Sequence, residues 1–265
     1  VISIEKKLLS LKAEGRKGLI MYLTAGYPDY NTTLQAVKAV EAAGADLVEL
    51  GLPFSDPMAD GPIIQQAATQ ALAAGATVGK ALELVTMLKQ ETTIPLAIMT
   101  YYNIVLQYGL KKFADSFAKA GISGLIIPDL PMEEAAIIEP ACRQAGIDLI
   151  RFIAPTTTPD RLTTICSQAS GFLYCISSTG VTGVRQIDYD QLAPLMTTVR
   201  QETQLPLAIG FGIGSPAAAC QAAQHADAVI VGSAVMERLM NDGVEAVREF
   251  TSTIRLALDK GCECR

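Results

Sequence analysis

Glu49 and Asp60 are the residues of this chain whose type and setting best suit chemistry. Glu49 stands alone among apolar neighbours in the run Asp46-Leu-Val-Glu-Leu-Gly-Leu52, which reads as a strand buried on both faces. Side chains alternate along a strand, so Glu49 shares a face with Leu47 and Gly51, while Val48 and Leu50 face the other way. A lone acid in such a run either pairs with a cation or keeps its proton, with its pKa pushed up. Beyond Leu52, the residues Pro53, Pro57, Gly61 and Pro62 make a stiff, turn-rich loop that carries Asp56 and Asp60, and a helix is expected to begin near Pro62. A buried acid at a strand's carboxyl end, faced by a second acid on the following loop, has the make-up of an acid–base pair. Two plainer readings stay open on these residues alone. Glu49 could belong to an ion pair in the core, and Asp60 could be a turn residue or helix cap.

Composition narrows the chemistry further. The only histidine is His225, after an Ala/Gln-rich helical run, where a surface or cap role is expected. With one histidine, Ser-His-Asp hydrolysis and histidine-rich metal sites are set aside, and acid–base work falls to carboxylates. The formal net charge is −6 and no Lys/Arg cluster occurs, which argues against nucleic acid as a partner. Half of the 265 residues are hydrophobic and 18% are charged, yet no apolar run approaches the roughly 20 residues of a membrane span. The stretch from Val1 to Leu9 reads as an amphipathic helix and not as a signal peptide. Six cysteines without repeated spacing fit free thiols in a reducing compartment, so a cytoplasmic protein is expected, or a chloroplast stromal one if a transit peptide has been removed. Cys262 and Cys264 at the tail are too few for a metal site, and no metal is expected.

These acids need a frame. Short apolar runs recur at Leu19–Thr24, Asp46–Leu52, Pro95–Tyr101, Gly124–Asp129, Asp148–Ala154, Phe172–Ser177, Pro206–Gly210 and Ala228–Gly232. Between them lie helical patterns at Asn31–Ala43, Val78–Lys89, Leu110–Ala120, Met132–Ala145, Pro159–Ala169, Tyr189–Glu202, Ser215–Gln224 and Gly243–Lys260. Ala-Gly closes several of these, at Gly44, Gly121 and Gly146, as a C-terminal glycine cap would. Eight strand–helix units and no linker predict one α/β domain over residues 1–265, a (β/α)8 barrel with an extra N-terminal helix and an extra helix, about Pro62–Ala74, after strand two. A doubly wound open sheet is the alternative. In such a barrel the site lies at the strands' carboxyl ends, where Glu49 and the Asp60 loop would meet.

Later loops add a possible anion site. Strand six runs into Ser178-Thr-Gly-Val-Thr-Gly183, a polar stretch suited to a lid. Strand seven is followed by Gly210-Phe-Gly-Ile-Gly-Ser-Pro216, and strand eight by Val231-Gly-Ser-Ala234. Glycines let backbone N–H groups approach an anion, and a helix start favours negative charge. Two such turns, in the two loops where barrels bind phosphate, favour a phosphate-bearing ligand over plain turns.

The string Glu-Leu-Gly-Leu-Pro-Phe-Ser-Asp-Pro-Met-Ala-Asp-Gly-Pro closely resembles the signature of the tryptophan synthase α chain, and the resemblance continues through the strand-six loop, Gly-Phe-Gly-Ile and Gly-Ser-Ala. It implies a (β/α)8 barrel that cleaves indole-3-glycerol phosphate by a retro-aldol reaction, giving indole and glyceraldehyde 3-phosphate. It also implies an α2β2 complex, with no cofactor in this chain and pyridoxal phosphate in the β chain. By matching motifs, Glu49 resembles the family's general acid–base, Asp60 the carboxylate at the indole N–H, and Tyr174 a tyrosine near the substrate. Gly183, Gly212, Gly232 and Ser233 match phosphate positions, and Tyr22, Tyr101, Ile153 and Phe211 fall where the pocket is lined. Tyr22 stands where well-known members have phenylalanine, and Ser178 where some bacterial members carry arginine.

Leu52–Met58 holds Pro53, Phe54, Pro57 and Met58, an unusual amount of rigid apolar surface for a loop. The resemblance assigns this face to the β chain, with Asp56 on the loop and Asn103, Asp129 and Pro131 nearby. A stand-alone lyase without a β partner is the nearest competing reading. A non-catalytic activating subunit is another, and the intact pair of acids argues against it.

Overall fold

The structure, a computed structural model, describes residues 3–176 and 188–261. Its centre is a closed barrel of parallel strands in chain order: β1 (Gly18–Thr24), β2 (Leu47–Gly51), β3 (Leu96–Met99), β4 (Gly124–Ile126), β5 (Asp148–Ile153), β6 (Leu173–Ile176), β7 (Leu207–Gly210) and β8 (Ala228–Val231), with β8 pairing back to β1. The expected (β/α)8 barrel is therefore the fold, and the open sheet is excluded. Helix α1 (Ile4–Ala13) precedes the barrel. Around it follow α2 (Tyr30–Ala42), α3 (Pro62–Ala73), α4 (Val78–Glu91), α5 (Tyr102–Tyr108), α6 (Leu110–Ala120), α7 (Met132–Ala135), α8 (Glu139–Ala145), α9 (Pro159–Gln168), a 3-10 turn at Tyr189–Leu192 leading into α10 (Ala193–Glu202), α11 (Pro216–His225) and α12 (Ser233–Asp259).

The helices differ from expectation in three places. The segment 132–145 is two helices, because Pro140 has no N–H to give and its ring clashes with the preceding turn, so it is tolerated only at a helix start, as in α8. Helix α5 follows β3 directly, in a stretch whose tyrosines and β-branched residues carry no strong helical signal. The last helix spans Ser233–Asp259 but breaks at Gly243 (φ 80°, ψ −169°), which is where the sequence reading begins its final helix. The expected glycine caps at Gly121 and Gly146 are left-handed (φ 115° and 74°), a conformation that costs a residue with a Cβ more.

The amino-terminal end of the barrel is closed by α1. Its buried Ile4, Leu8 and Leu11 join the inward-facing Ile20, Leu47, Ile126 and Ile150 in one interior cluster. Close approach requires glycine on the strands above: a Cβ at Gly124 would stand 2.6 Å from Ile4 Cδ1, and one at Gly18 would stand 2.8 Å from Leu8 Cδ2. Buried acids at this end are paired. Asp46 accepts from the Leu19 N–H (3.0 Å) and from Arg255 (3.1 Å), with Lys7 at 3.4 Å, and Asp227 pairs with Arg200 and Lys12. Arg255 and Lys7 thereby tie α12 and α1 to the foot of β2. This is the stabilising end of the barrel.

Candidate active site

Glu49 projects into the barrel from β2, on the face of Leu47 and opposite Val48 and Leu50, as strand alternation requires. It is 1% exposed, and among the described residues no cation pairs with it and its Oε2 has no hydrogen-bond partner. That rejects the core ion pair. Burial, with the Asp60 charge adding to it, pushes the Glu49 carboxyl up to about 8. Asp60 is 5% exposed at the end of the loop that leaves β2, and its Oδ1 likewise has no partner among the described residues. It is not a helix cap: Gly61 is the N-cap of α3, with no side-chain bond, and Pro62 supplies the first helical residue. Burial raises the Asp60 carboxyl to about 6, against the pull of a hydrogen bond from Tyr101. The two acids that lack the pairing seen at the barrel's foot are thus brought together at its mouth.

Tyr101 fixes the loop. Its hydroxyl accepts from the Ala59 N–H at 3.0 Å, and its ring stacks on Phe54 at 5.0 Å. Phe54 is therefore folded back and half-buried, as is Pro57, whereas Asp56 is exposed and Met58 is 78% exposed. Asp56 takes the Ser55 hydroxyl. Asn103 and Pro131 are exposed on neighbouring loops. Asp129 is half-buried and accepts from the Tyr102 N–H (2.9 Å), which anchors the first turn of α5.

Tyrosines line opposite walls of the mouth by one geometry. In the β1–β2 register Tyr22 pairs with Glu49 and Thr24 with Gly51, and a Cβ at Gly51 would fall 2.0 Å from the Tyr22 hydroxyl. In the β6–β7 register Tyr174 pairs with Ala208 and Ile176 with Gly210, and a Cβ at Gly210 would fall 2.4 Å from the Tyr174 hydroxyl. Each phenol leans along its strand and crosses a glycine of the next. Tyr174 also packs against Phe152 (4.9 Å between ring centres) and the edge of Phe211 (6.2 Å). Ile153 is buried one residue beyond Phe152 and so on the other side of β5; Phe152 is the residue turned inward. The sequence does not single out Phe152, although alternation from Arg151 points it inward, and it offers Gly51 only as a face-mate of Glu49 and Gly210 only as a loop glycine, neither tied to a tyrosine.

The anion loops differ from each other. Phe211 and Gly212 both have positive φ (79° and 75°), and Phe211 is the only non-glycine among the described residues to do so. The Tyr189 hydroxyl donates to its carbonyl at 3.3 Å. Helix α11 is capped by its own Ser215, which accepts from the Ala218 N–H. Helix α12 has no side-chain cap: Gly232 occupies the N-cap, and Ser233 is buried in the first turn. Its leading N–H groups suit an anion. Gly183 and Ser178 lie outside the described residues. His225, the last residue of α11, is half-buried and meets the exposed Asp190 at 2.9 Å, a pairing at the surface with no capping bond to the helix end among the described residues.

Comparison with known proteins places the whole chain in one family. The family model for the tryptophan synthase alpha chain matches residues 8–259. The tryptophan synthase alpha chain of Chloroflexus aggregans is 50% identical over 237 residues, covering 89% of each chain. That of Thermosynechococcus vestitus is 46% identical over 262 residues, covering 98% of each. Among solved structures, tryptophan synthase subunit alpha from Legionella pneumophila superposes with a TM-score of 0.91 at 35% identity, covering 98% of this chain and 100% of that one. Tryptophan synthase from Mycobacterium tuberculosis gives 0.90 at 38% identity, with 97% and 99% covered. With a family match over nearly its whole length and relatives near half-identical across it, the chain belongs to the tryptophan synthase alpha chain family.

Proposed function

We propose that Glu49 and Asp60 cleave indole-3-glycerol phosphate to indole and glyceraldehyde 3-phosphate, and that Glu49 carries the proton both ways. The observation behind this is the pair itself: two buried acids with no cation partner among the described residues, whose surroundings hold one at about 8 and the other at about 6. At neutral pH Glu49 keeps its proton and Asp60 is mostly ionised, so the environment assigns the roles. Glu49 protonates C3 of the indole ring, which places positive charge on the ring nitrogen. The Asp60 carboxylate stabilises that charge. Glu49, now ionised, takes the proton from the adjacent hydroxyl of the glycerol chain. The C–C bond breaks, its electrons return to the ring as indole, and the hydroxyl carbon becomes the aldehyde. One proton enters and one leaves, so Glu49 ends as it began.

Tyr101 orients Asp60 through the loop it fixes, while Tyr174, Phe152 and Phe211 supply aromatic wall for the ring. The phosphate lies against the start of α12 at Gly232 and Ser233, with Gly212 as a further donor; Gly183, outside the described residues, is assigned to the same anion by its motif alone. The partner is a β chain, in an α2β2 complex with pyridoxal phosphate on the β side, docked on the loop that exposes Met58 and Asp56. Among the described residues, Cys142, Cys166 and Cys175 are buried thiols, which suits the cytoplasm.

Indole release from indole-3-glycerol phosphate tests the reading. Glu49→Gln is expected to lower turnover by about 10²–10⁴ while substrate affinity changes far less. Asp60→Asn is expected to be comparably impaired, with Asp56→Asn close to wild type. Either acid variant keeping more than a tenth of wild-type turnover removes that residue from its role.

A further inference from the structure

The 3-10 turn that leads into α10 is rigidly built and fastened to the β7–α11 unit at both ends of that unit. Asp188 caps the turn, accepting from the Asp190 N–H at 3.1 Å and from the Gln191 side chain at 3.1 Å. Asp190 meets His225 at the far end of α11, at 2.9 Å. Tyr189 reaches the near end. It is 3% exposed, and its hydroxyl donates to the Phe211 carbonyl at 3.3 Å, 22 residues along the chain. Burial pushes this phenol up to about 12, so it keeps the proton it donates. The reaction proposed above gives it no part.

What Tyr189 holds is the peptide between two residues of positive φ, Phe211 at 79° and Gly212 at 75°. Glycine accepts that conformation freely, but in Phe211 it is costly and persists only where the surroundings enforce it. A peptide plane can turn over by rotating ψ of its first residue and φ of its second, leaving both Cα atoms and the first side chain nearly in place. Gly212 offers little resistance to that rotation, since it tolerates either sign of φ. The hydrogen bond from Tyr189 to the carbonyl opposes it. In a trans peptide the N–H points opposite to the C=O, so a carbonyl turned to Tyr189 turns the Gly212 N–H away from it. Strands β7 and β8 are neighbours in the barrel, and the loop that carries Gly212 therefore borders the start of α12.

We infer that Tyr189 is a positioning residue for the phosphate: by holding the Phe211 carbonyl, it fixes the Gly212 N–H in the orientation that donates to the anion at the start of α12. The inference rests on the phosphate site proposed above and names the side chain that sets one of its donors. The Phe211 ring, edge-on to Tyr174 at 6.2 Å, keeps its place whichever way the peptide lies.

The experiment compares wild type, Tyr189→Phe and Gly232→Ala, measuring affinity for inorganic phosphate and, separately, for indole by calorimetry. The Gly212 amide is followed by ¹H–¹⁵N NMR as phosphate is added, and in wild type its proton shifts downfield. Phenylalanine at position 189 keeps the ring and removes only the donor. In Tyr189→Phe phosphate binds about tenfold more weakly, the worth of one hydrogen bond to a charged group, and the Gly212 response is lost. Indole affinity stays within about twofold, and KM for indole-3-glycerol phosphate rises with kcat little changed. A role in packing alone would loosen the loop and weaken indole and phosphate together. Equal weakening of both ligands, an unchanged phosphate affinity in Tyr189→Phe, or a Gly212 amide that fails to respond in wild type overturns the inference. Gly232→Ala tells the two levels apart. If it weakens phosphate and Tyr189→Phe does not, only the role of Tyr189 falls; if neither does, the proposed phosphate site falls with it.

Discussion

Glu49→Gln is expected to stabilise the fold at high pH while removing activity. In the unfolded chain Glu49 loses its proton near 4.5; in the fold it keeps it to about 8. Between those values the folded state binds the extra proton, so stability falls as pH rises through the window. The penalty is small at pH 5 and nearly complete at pH 8. A rise from 4.5 to about 8 at 1.36 kcal/mol per unit puts the change between those two pH values at about 3–4 kcal/mol. Glutamine carries no such penalty, although burying an amide with an unfilled partner costs about 1–3 kcal/mol at every pH. The absolute difference at one pH therefore mixes two effects, and the change in that difference with pH isolates one. Other titrating groups, Asp60 among them, are present in both proteins and largely cancel. The assay is urea unfolding of wild type and Glu49→Gln, followed by circular dichroism at pH 5, 6, 7 and 8. Glu49→Gln gains steadily on wild type as pH rises. A difference that stays constant within about 0.5 kcal/mol from pH 5 to 8 would refute the claim that Glu49 is buried as an acid without a partner, and with it the basis for its proton-carrying role.

Two further expectations concern the ligand and the partner. Gly232→Ala should raise KM for indole-3-glycerol phosphate tenfold or more with kcat little changed. Its Cβ would find Tyr22 and Ile64 at ordinary contact distances of 3.6 and 3.7 Å, yet would stand where the phosphate approaches α12; an unchanged KM would place the phosphate elsewhere. Asp56→Ala should keep the basal rate and lose much of the stimulation by an added β chain, since Asp56 is exposed on the loop that ends in Asp60; equal stimulation of variant and wild type under saturating β chain would sever the two.

What was legible in the sequence followed from period and punctuation. Eight apolar runs separated by helical patterns gave the barrel, and alternation about Glu49 gave its inward direction, because both depend on spacing along one strand. The break in 132–145 was also visible, in Pro140, but the helical pattern around it was read across the proline. Helix α5 was not legible, since seven residues with two tyrosines, a valine and an isoleucine look no more helical than extended. Whether Glu49 was paired could not be read at all. Asp46 and Glu49 lie three residues apart in the same run, and only the placement of Lys7 and Arg255, from the two ends of the chain, separates the acid that has cation partners from the one that has none.

The same limit explains why the walls of the mouth went unread. Nothing in the order of residues links Tyr22 to Gly51 or Tyr174 to Gly210, which lie on different strands. The link is made by register. In both cases the glycine sits two residues above the tyrosine's own partner on the next strand, where a long side chain leaning along the strand arrives. Any side chain at Gly51 or Gly210 would drive the phenol out of the wall and toward the reacting groups, so each glycine defines the space in which a tyrosine can stand. On the β1 side this places the phenol beside Glu49 and Asp60. On the β6 side it places it among Phe152, Phe172 and Phe211, in an aromatic wall. One packing device thus builds two kinds of wall, and the neighbours decide which: acids lie beside one phenol, and rings surround the other.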